Sequence, residues 1–167
     1  MKRSQIITTV IVFALFFLAT YSQGQKDQVA RPSGGLQKED RAVAVMELFF
    51  AKLNSGDFEG ASDLYGGGYQ VLASWNPSVE AGDRPALLRL GCDLNGLQCF
   101  RLGEIVNSTE LPDNKFRFEV MFTTNGGTTF VRGPCCGESS PPDSVFTVEV
   151  ANSSNGFLVY SLPPYMP

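Results

Sequence analysis

The chain has 167 residues, enough for one domain or at most two. Its 17 acidic and 13 basic residues give a formal net charge of −4, and within residues 40–167 acidic residues outnumber basic ones by 15 to 8. Such an acidic domain argues against binding to nucleic acid or to an anionic lipid surface, because both need clustered cations. The chain contains no histidine, which removes the commonest general base and the commonest metal ligand.

The N-terminal segment predicts export from the cytoplasm. Lys2 and Arg3 precede an apolar run over residues 6–21, and a basic stretch before such a run is typical of a secretory signal. The run is shorter than the roughly 20 residues that span a bilayer, but tilt and local thinning leave an uncleaved anchor as an alternative. Residues 1–22 are therefore interpreted as a signal peptide or a signal anchor. In both cases the domain lies outside the cytoplasm, since the basic residues stay inside.

The next segment, residues 23–39, predicts a flexible linker because it is polar, contains Gly and Pro, and lacks apolar periodicity. The folded domain is then residues 40–167, and we expect it to touch the membrane only through the N-terminal segment. A domain of this length buries about two-thirds of its unfolded surface, so it needs neither a metal nor a disulfide merely to fold.

Three helices are predicted in the first half of the domain. Residues 39–57 have the apolar spacing of an amphipathic helix. Asp57 is typical of the N-cap of a second short helix over residues 58–65, which Gly66-Gly67-Gly68 ends. A third helix is predicted over residues 82–92, with a proline in its first turn. The apolar stripe of the first helix consists of Ala42, Met46, Phe49, Phe50 and Leu53.

After Cys99 the apolar period changes from 3.6 to 2 residues, which predicts strands. Residues 115–124 alternate strictly and predict a half-buried antiparallel strand. Asn125-Gly126-Gly127 predicts a hairpin turn that returns through residues 128–132. Helices followed by an antiparallel meander of four to six strands predict an α+β domain. The other predicted strands are residues 100–108, with Gly103 as a bulge, 144–150 and 157–163.

Two stretches carry a family resemblance. The stretch AVMELFFAKLNSGDFEGASDLYGG, residues 44–67, resembles the opening of nuclear-transport-factor-2-like domains of the SnoaL/ketosteroid-isomerase type, here called cone domains. The end of the chain, GFLVYSLPPYMP, is similar to the last strand of exported members. The resemblance covers about residues 41–163 and implies a curved, cystatin-like sheet wrapped around a long helix, leaving a conical pocket. The superfamily includes isomerases, cyclases, dehydratases and non-catalytic binding modules, so the resemblance alone implies no activity.

Catalytic residues are not assigned. Cone-domain enzymes that transfer protons often use a His–Asp pair, which this chain cannot supply. Others resemble ketosteroid isomerase, which uses an Asp base, a Tyr and a neutral Asp in an apolar cavity. Asp63, Tyr65, Tyr69 and Tyr160 are candidates by residue type, but Asp63 and Tyr65 point in different directions on a short helix. No cofactor is predicted either.

The four cysteines, Cys92, Cys99, Cys135 and Cys136, predict disulfides, because an even number in an exported chain implies oxidised pairs. Consecutive Cα atoms lie about 3.8 Å apart, whereas an unstrained disulfide has a Cα–Cα distance of about 4.4–6.8 Å. We therefore expect Cys92 and Cys99 each to bond to one cysteine of the adjacent pair. A strained redox pair and a metal site are the alternatives, but the spacings of both kinds of site are missing, and no metal ligand is predicted.

Two functions are compatible with these observations. The leading hypothesis is an exported or membrane-tethered, non-catalytic domain that binds a small apolar ligand or a protein partner. The alternative is a histidine-free cone-fold isomerase or hydrolase acting on a small apolar molecule, which a buried Asp or Glu facing a Tyr would favour. A third reading makes the N-terminal apolar helix the functional part. The residues expected in a pocket or contact surface are Phe50, Tyr65, Trp75, Phe118 and Tyr165.

Overall fold

The computed structural model describes residues 37–133 and 141–167. Within them it confirms the α+β class: four helices precede one four-stranded antiparallel sheet whose strands are ordered as in the chain. The predicted signal or anchor segment and the Cys135–Cys136 pair lie outside the described residues. The elements are α1 (Lys38–Ser55), α2 (Phe58–Ser62), α3 (Gln70–Trp75), α4 (Arg84–Asp93), β1 (Arg101–Leu111), β2 (Lys115–Thr123), β3 (Phe146–Ser153) and β4 (Gly156–Val159).

Helix α1 follows the predicted stripe. A reciprocal capping box between Gln37 and Asp40 starts the helix, and Gly56, at φ +80°, ends it with its N–H donating to the carbonyl oxygen of Leu53. All five predicted stripe residues are buried. No helix in the described part of the chain is both long enough and apolar enough to cross a bilayer.

The helices α2 and α4 both begin after a side-chain cap, of which the sequence predicted Asp57. The carboxylate of Asp57 accepts a hydrogen bond from the backbone N–H of Gly60 at 2.9 Å, and that of Asp83 accepts one from Ala86 at 3.1 Å. Both caps satisfy an N–H group that a helix start otherwise leaves free.

Helix α2 ends at Ser62, earlier than predicted. The reason is tertiary: Tyr65 forms a parallel bridge with Val159 in β4. The N–H of Gly66 donates to the carbonyl of Val159 at 2.8 Å, and the N–H of Val159 donates to the carbonyl of Leu64 at 2.9 Å. Residues after α2 are therefore drawn to the sheet edge. Helix α3 follows them, although the sequence analysis assigned no helix there.

The sheet buries one face against the helices. Strand β2 alternates as predicted, with Phe116, Phe118, Val120 and Phe122 buried. Strand β1 runs three residues beyond its predicted end, and its register with β2 shifts at Gly103, which confirms the predicted bulge. The predicted hairpin turn is confirmed, since the N–H of Thr124 donates to the carbonyl of Thr128 and that of Phe130 to the carbonyl of Phe122, both at 2.8 Å. The returning residues 128–132 make only isolated bridges and form no continuous strand.

Aromatic side chains fill the space between α1 and the sheet. The rings of Phe50 and Phe122 lie 4.9 Å apart edge to face, and those of Phe49 and Phe50 lie 5.1 Å apart. Among the described residues, Asn76 is the one buried polar residue, and no Asp or Glu is buried. The buried phenylalanines are Phe49, Phe50, Phe116, Phe118, Phe122, Phe130, Phe146 and Phe157.

Candidate functional site

The loop after α4 folds back on itself. Gly96, at φ +81°, provides the left-handed turn, and the N–H of Leu97 donates to the carbonyl of Gly91 at 3.0 Å. The turn brings the Cα of Cys99 to 5.6 Å from that of Cys92, and the two cysteines form a disulfide. This distance is within the range for an unstrained bond.

This pairing corrects the expected one, in which Cys92 and Cys99 each bond to the 135–136 pair. The expectation came from excluding a bond between the adjacent Cys135 and Cys136, and it did not consider a turn within residues 92–99. The Asn95-Gly96 dipeptide, a common tight-turn signal, allows that segment to reverse. The existence of a disulfide is consistent with the predicted extracytoplasmic location, since such bonds persist in oxidising compartments.

The C-terminal segment, residues 162–167, docks on this loop as a short antiparallel pair. The N–H of Gln98 donates to the carbonyl of Pro164 at 2.7 Å, and the N–H of Met166 donates to the carbonyl of Gly96 at 2.9 Å. Leu97 and Tyr165 are the bridged residues. Pro164 is buried, so the segment covers part of the core instead of extending into solvent.

An aromatic stack joins the segment to α3. The rings of Trp75 and Tyr165 are stacked with centroids 5.2 Å apart. Asn76, next to Trp75, donates from Nδ2 to the carbonyl of Leu72 at 2.8 Å and to Oδ1 of Asn95 at 2.9 Å. The buried amide thus fixes the end of α3 against the loop, and this fixes the Trp75 ring relative to Tyr165.

Apolar side chains of α3, the disulfide loop and the C-terminal segment remain exposed to solvent. Leu94 is 74% exposed, Tyr165 43% and Met166 38%, while Trp75 is half-buried. These four residues, called the C-terminal surface below, come from α3, the disulfide loop and the C-terminal segment. Two of them, Trp75 and Tyr165, were predicted as contact residues. The structure therefore brings those two together.

The other predicted contact residues are placed differently. Phe50 and Phe118 are fully buried, and Tyr65 is 6% exposed. Phe50 and Phe118 therefore belong to the packed core between α1 and the sheet. The sequence analysis missed Asn76 and Leu97, because a single Asn and a single Leu carry no pattern that marks them as anchors of a surface.

Two tyrosines form a second candidate region. The rings of Tyr65 and Tyr69 meet edge to face at 5.1 Å, and burial raises the pKa of each to about 12. The Tyr65 hydroxyl donates to the carbonyl of Gly68 at 3.4 Å. The Tyr69 hydroxyl is buried without a hydrogen-bond partner among the described residues. Asp63 and Tyr160, the remaining catalytic candidates, are both exposed.

Replacing Tyr69 by phenylalanine is expected to raise the free energy of unfolding by about 1 kcal/mol. The buried Tyr69 hydroxyl loses its hydration on folding and gains no protein hydrogen bond among the described residues, so its removal is favourable. Urea denaturation of the Tyr69→Phe variant measures this. Tyr65→Phe is the matched control, since its hydroxyl has an acceptor, and we expect it to be neutral or destabilising. A clear loss of stability in Tyr69→Phe would contradict the prediction.

A groove of about 420 Å³ adjoins the disulfide, and the amides of Asn54 and Asn125 in its lining bond to each other. Nδ2 of Asn54 donates to the carbonyl of Cys99 at 3.1 Å and to Oδ1 of Asn125 at 3.0 Å, while Nε of Arg101 donates to Oδ1 of Asn54 at 2.8 Å. Among residues 37–133 and 141–167, no three Cys, Asp or Glu side chains lie close enough to hold a metal ion.

The chain matches no protein-family model, no curated protein and no solved structure. The resemblance to cone domains therefore stays a prediction from the sequence pattern.

Proposed function

We propose that the chain is an exported or membrane-tethered, non-catalytic interaction domain of cone type, and that it binds a protein partner through the C-terminal surface. The observation that carries the proposal is the half-exposed Trp75–Tyr165 stack, with Leu94 and Met166 exposed in the segments that adjoin it. The stacked pair and the adjacent Met166 form a group, and grouped apolar side chains on a surface indicate a contact site, whereas scattered ones do not. Aromatic residues and Met are also enriched in interfaces.

The surface is held in place before any partner arrives. Two backbone hydrogen bonds fix the C-terminal segment, and the Asn76 amide fixes α3 to the loop. A surface that is already ordered loses little conformational entropy on binding, so more of the contact energy is available as affinity.

The chemistry of the partner follows from charge. Asp93 directly precedes Leu94, and the domain as a whole is acidic. We therefore expect a partner with aliphatic or aromatic side chains flanked by Lys or Arg, and an association rate that falls as salt increases. A protein partner is favoured over a small apolar ligand because phenylalanines fill the space between α1 and the sheet.

A second candidate is a histidine-free cone-fold isomerase or hydrolase acting on a small apolar molecule. The observation that favours it is the buried Tyr69 hydroxyl, which has no hydrogen-bond partner among the described residues. No buried Asp or Glu in the described residues faces this phenol to act as the base. The contact function therefore ranks first.

Site-specific photo-crosslinking in the producing cell tests the contact function. A benzophenone amino acid at position 166 is expected to give a discrete crosslinked species that Leu94→Glu removes, because a charge in the apolar patch opposes binding. Leu48→Glu is the matched control: Leu48 is 47% exposed but lies on α1. The proposal fails if position 166 gives no discrete species, or if both Glu variants reduce it equally.

A further inference from the structure

We propose that the Cys92–Cys99 disulfide is a redox latch for the C-terminal segment. Its reduction would release the end of that segment, residues 165–167, and take the C-terminal surface apart, while α1 and the sheet stay folded. The latch itself follows from the geometry of the loop. Its consequence for partner binding rests on the proposed contact function.

The contacts of the segment start inside the loop that the disulfide closes. Gly96 supplies the carbonyl that accepts from Met166, and Gln98 supplies the N–H that donates to Pro164. Both belong to the stretch between the two bonded cysteines. The disulfide thus keeps both hydrogen-bonding groups in the spacing that the segment needs.

Residues 162–164 also pack on the core, where Pro163 and Pro164 are buried, whereas the aromatic support for the end of the segment depends on this loop. The Trp75 ring that stacks on Tyr165 is positioned by Asn76, whose Nδ2 bonds to Oδ1 of Asn95 within the loop. If the loop gains conformational freedom, the backbone pair and the stack both weaken. Loss of one contact therefore favours loss of the others.

The elements on either side of the loop have independent support. Helix α4 is capped by Asp83 and buries Leu87 and Leu88 in the core. Strand β1 pairs with β2 from Arg101 to Leu111. Opening the loop exposes Leu97, which is 3% exposed, but leaves the other core residues in place. It therefore frees the end of the segment at less cost than opening the core, which is the condition for a local transition.

The bond is accessible to a reductant. Cys92 and Cys99 are both half-buried and line the open groove beside α1. A dithiol reductant attacks one sulfur as the thiolate, which breaks the S–S bond and forms a mixed disulfide. Its second thiolate displaces the protein sulfur, so two electrons and two protons pass to the protein and the reductant becomes a cyclic disulfide.

The single tryptophan of the chain makes the test direct, since Trp75 is itself part of the stack. Dithiothreitol is expected to shift the Trp75 emission to longer wavelength and to increase its quenching by acrylamide. The far-UV circular dichroism should keep its shape, because helices and sheet remain. Tyr165→Ala provides the emission of an unstacked Trp75 as a reference.

Cysteine variants assign the effect to one bond. The Cys92→Ser/Cys99→Ser protein should show the shifted emission without reductant and no response to it. The Cys135→Ser/Cys136→Ser protein should respond as the unmodified chain does. An unchanged Trp75 emission after reduction of the Cys135→Ser/Cys136→Ser protein would overturn the latch. A loss of the circular dichroism signal together with the emission shift would also overturn it, because the bond would then stabilise the whole fold.

The two proposals can fail separately. A shifted emission with unchanged crosslinking from position 166 would support the latch and contradict the contact function. A shifted emission with loss of the crosslinked species would support both. Crosslinking that is lost on reduction while the emission stays unchanged would overturn the latch and leave the contact function standing.

Discussion

Replacing Phe50 by alanine is expected to lower the free energy of unfolding by about 3–5 kcal/mol, the usual cost of removing a buried phenylalanine ring. Phe50 is fully buried on α1, and its ring contacts Phe49 and Phe122 edge to face. The substitution leaves a cavity at the point where the helix meets β2, and neighbouring rings can fill it only in part. Urea or guanidinium denaturation followed by far-UV circular dichroism measures the loss.

Leu48→Ala is the control for this prediction. Leu48 lies on the same helix two residues earlier, but it is 47% exposed. We expect it to change the free energy of unfolding by no more than about 0.5 kcal/mol. Similar losses in the two variants would mean that α1 does not bury the face described above.

Replacing Gly96 by alanine is expected to cost about 2 kcal/mol and to release the C-terminal segment. The backbone of Gly96 has φ +81°, where an L side chain costs roughly 1–2 kcal/mol. Its new Cβ would also collide with the carbonyl oxygen of Met166 and lie 3.2 Å from the Tyr165 ring. The carbonyl belongs to backbone, so the clash is relieved only if the segment moves away.

The release is measured by the Trp75 emission, and the cost by chemical denaturation of the same protein. Gly82→Ala is the matched control, because a Cβ there meets no atom within 4 Å and the residue has no positive φ. We expect that variant to be neutral or slightly stabilising, by less than about 1 kcal/mol. A Gly96→Ala protein with unchanged emission would contradict the described docking of the segment.

The two predictions distinguish a residue that stabilises the whole domain from one that stabilises the C-terminal surface. Phe50 supports the contact between α1 and the sheet, so its loss weakens the whole domain. Gly96 supports only the loop and the segment that lies on it, so its substitution should change the C-terminal surface more than the core. The disulfide latch depends on this separation, since a segment that unfolded together with the core could not be switched by itself.

Residues of α1 and β2 were predicted almost entirely from the sequence. Both elements show a local pattern, because each packs one face on the core and its apolar residues repeat with the period of a helix or a strand. The pattern of α1 is its apolar stripe, and that of β2 is the alternation of Phe116, Phe118, Val120 and Phe122. The helix start at Asp57 was predicted for the same reason, because a cap acts within three residues.

Other parts of the fold could not be predicted this way. Helix α3 is only six residues long and has one buried residue, Leu72, so it shows no periodicity. The end of α2 is decided by the bridge between Tyr65 and Val159, which are far apart in the chain. The disulfide pairing depended on whether the loop could reverse, which is a property of its backbone and not of cysteine spacing.

The sequence by itself determined the α+β class, the alternating core face of the sheet, the acidic charge and the absence of histidine. It also marked Trp75 and Tyr165 as candidate contact residues. Only the tertiary structure placed Trp75 against Tyr165 and paired Cys92 with Cys99. The physical reason is the separation in sequence between interacting residues. Periodicity and capping act over a few residues, whereas a surface built from α3, a loop and a distant segment exists only after the chain has packed.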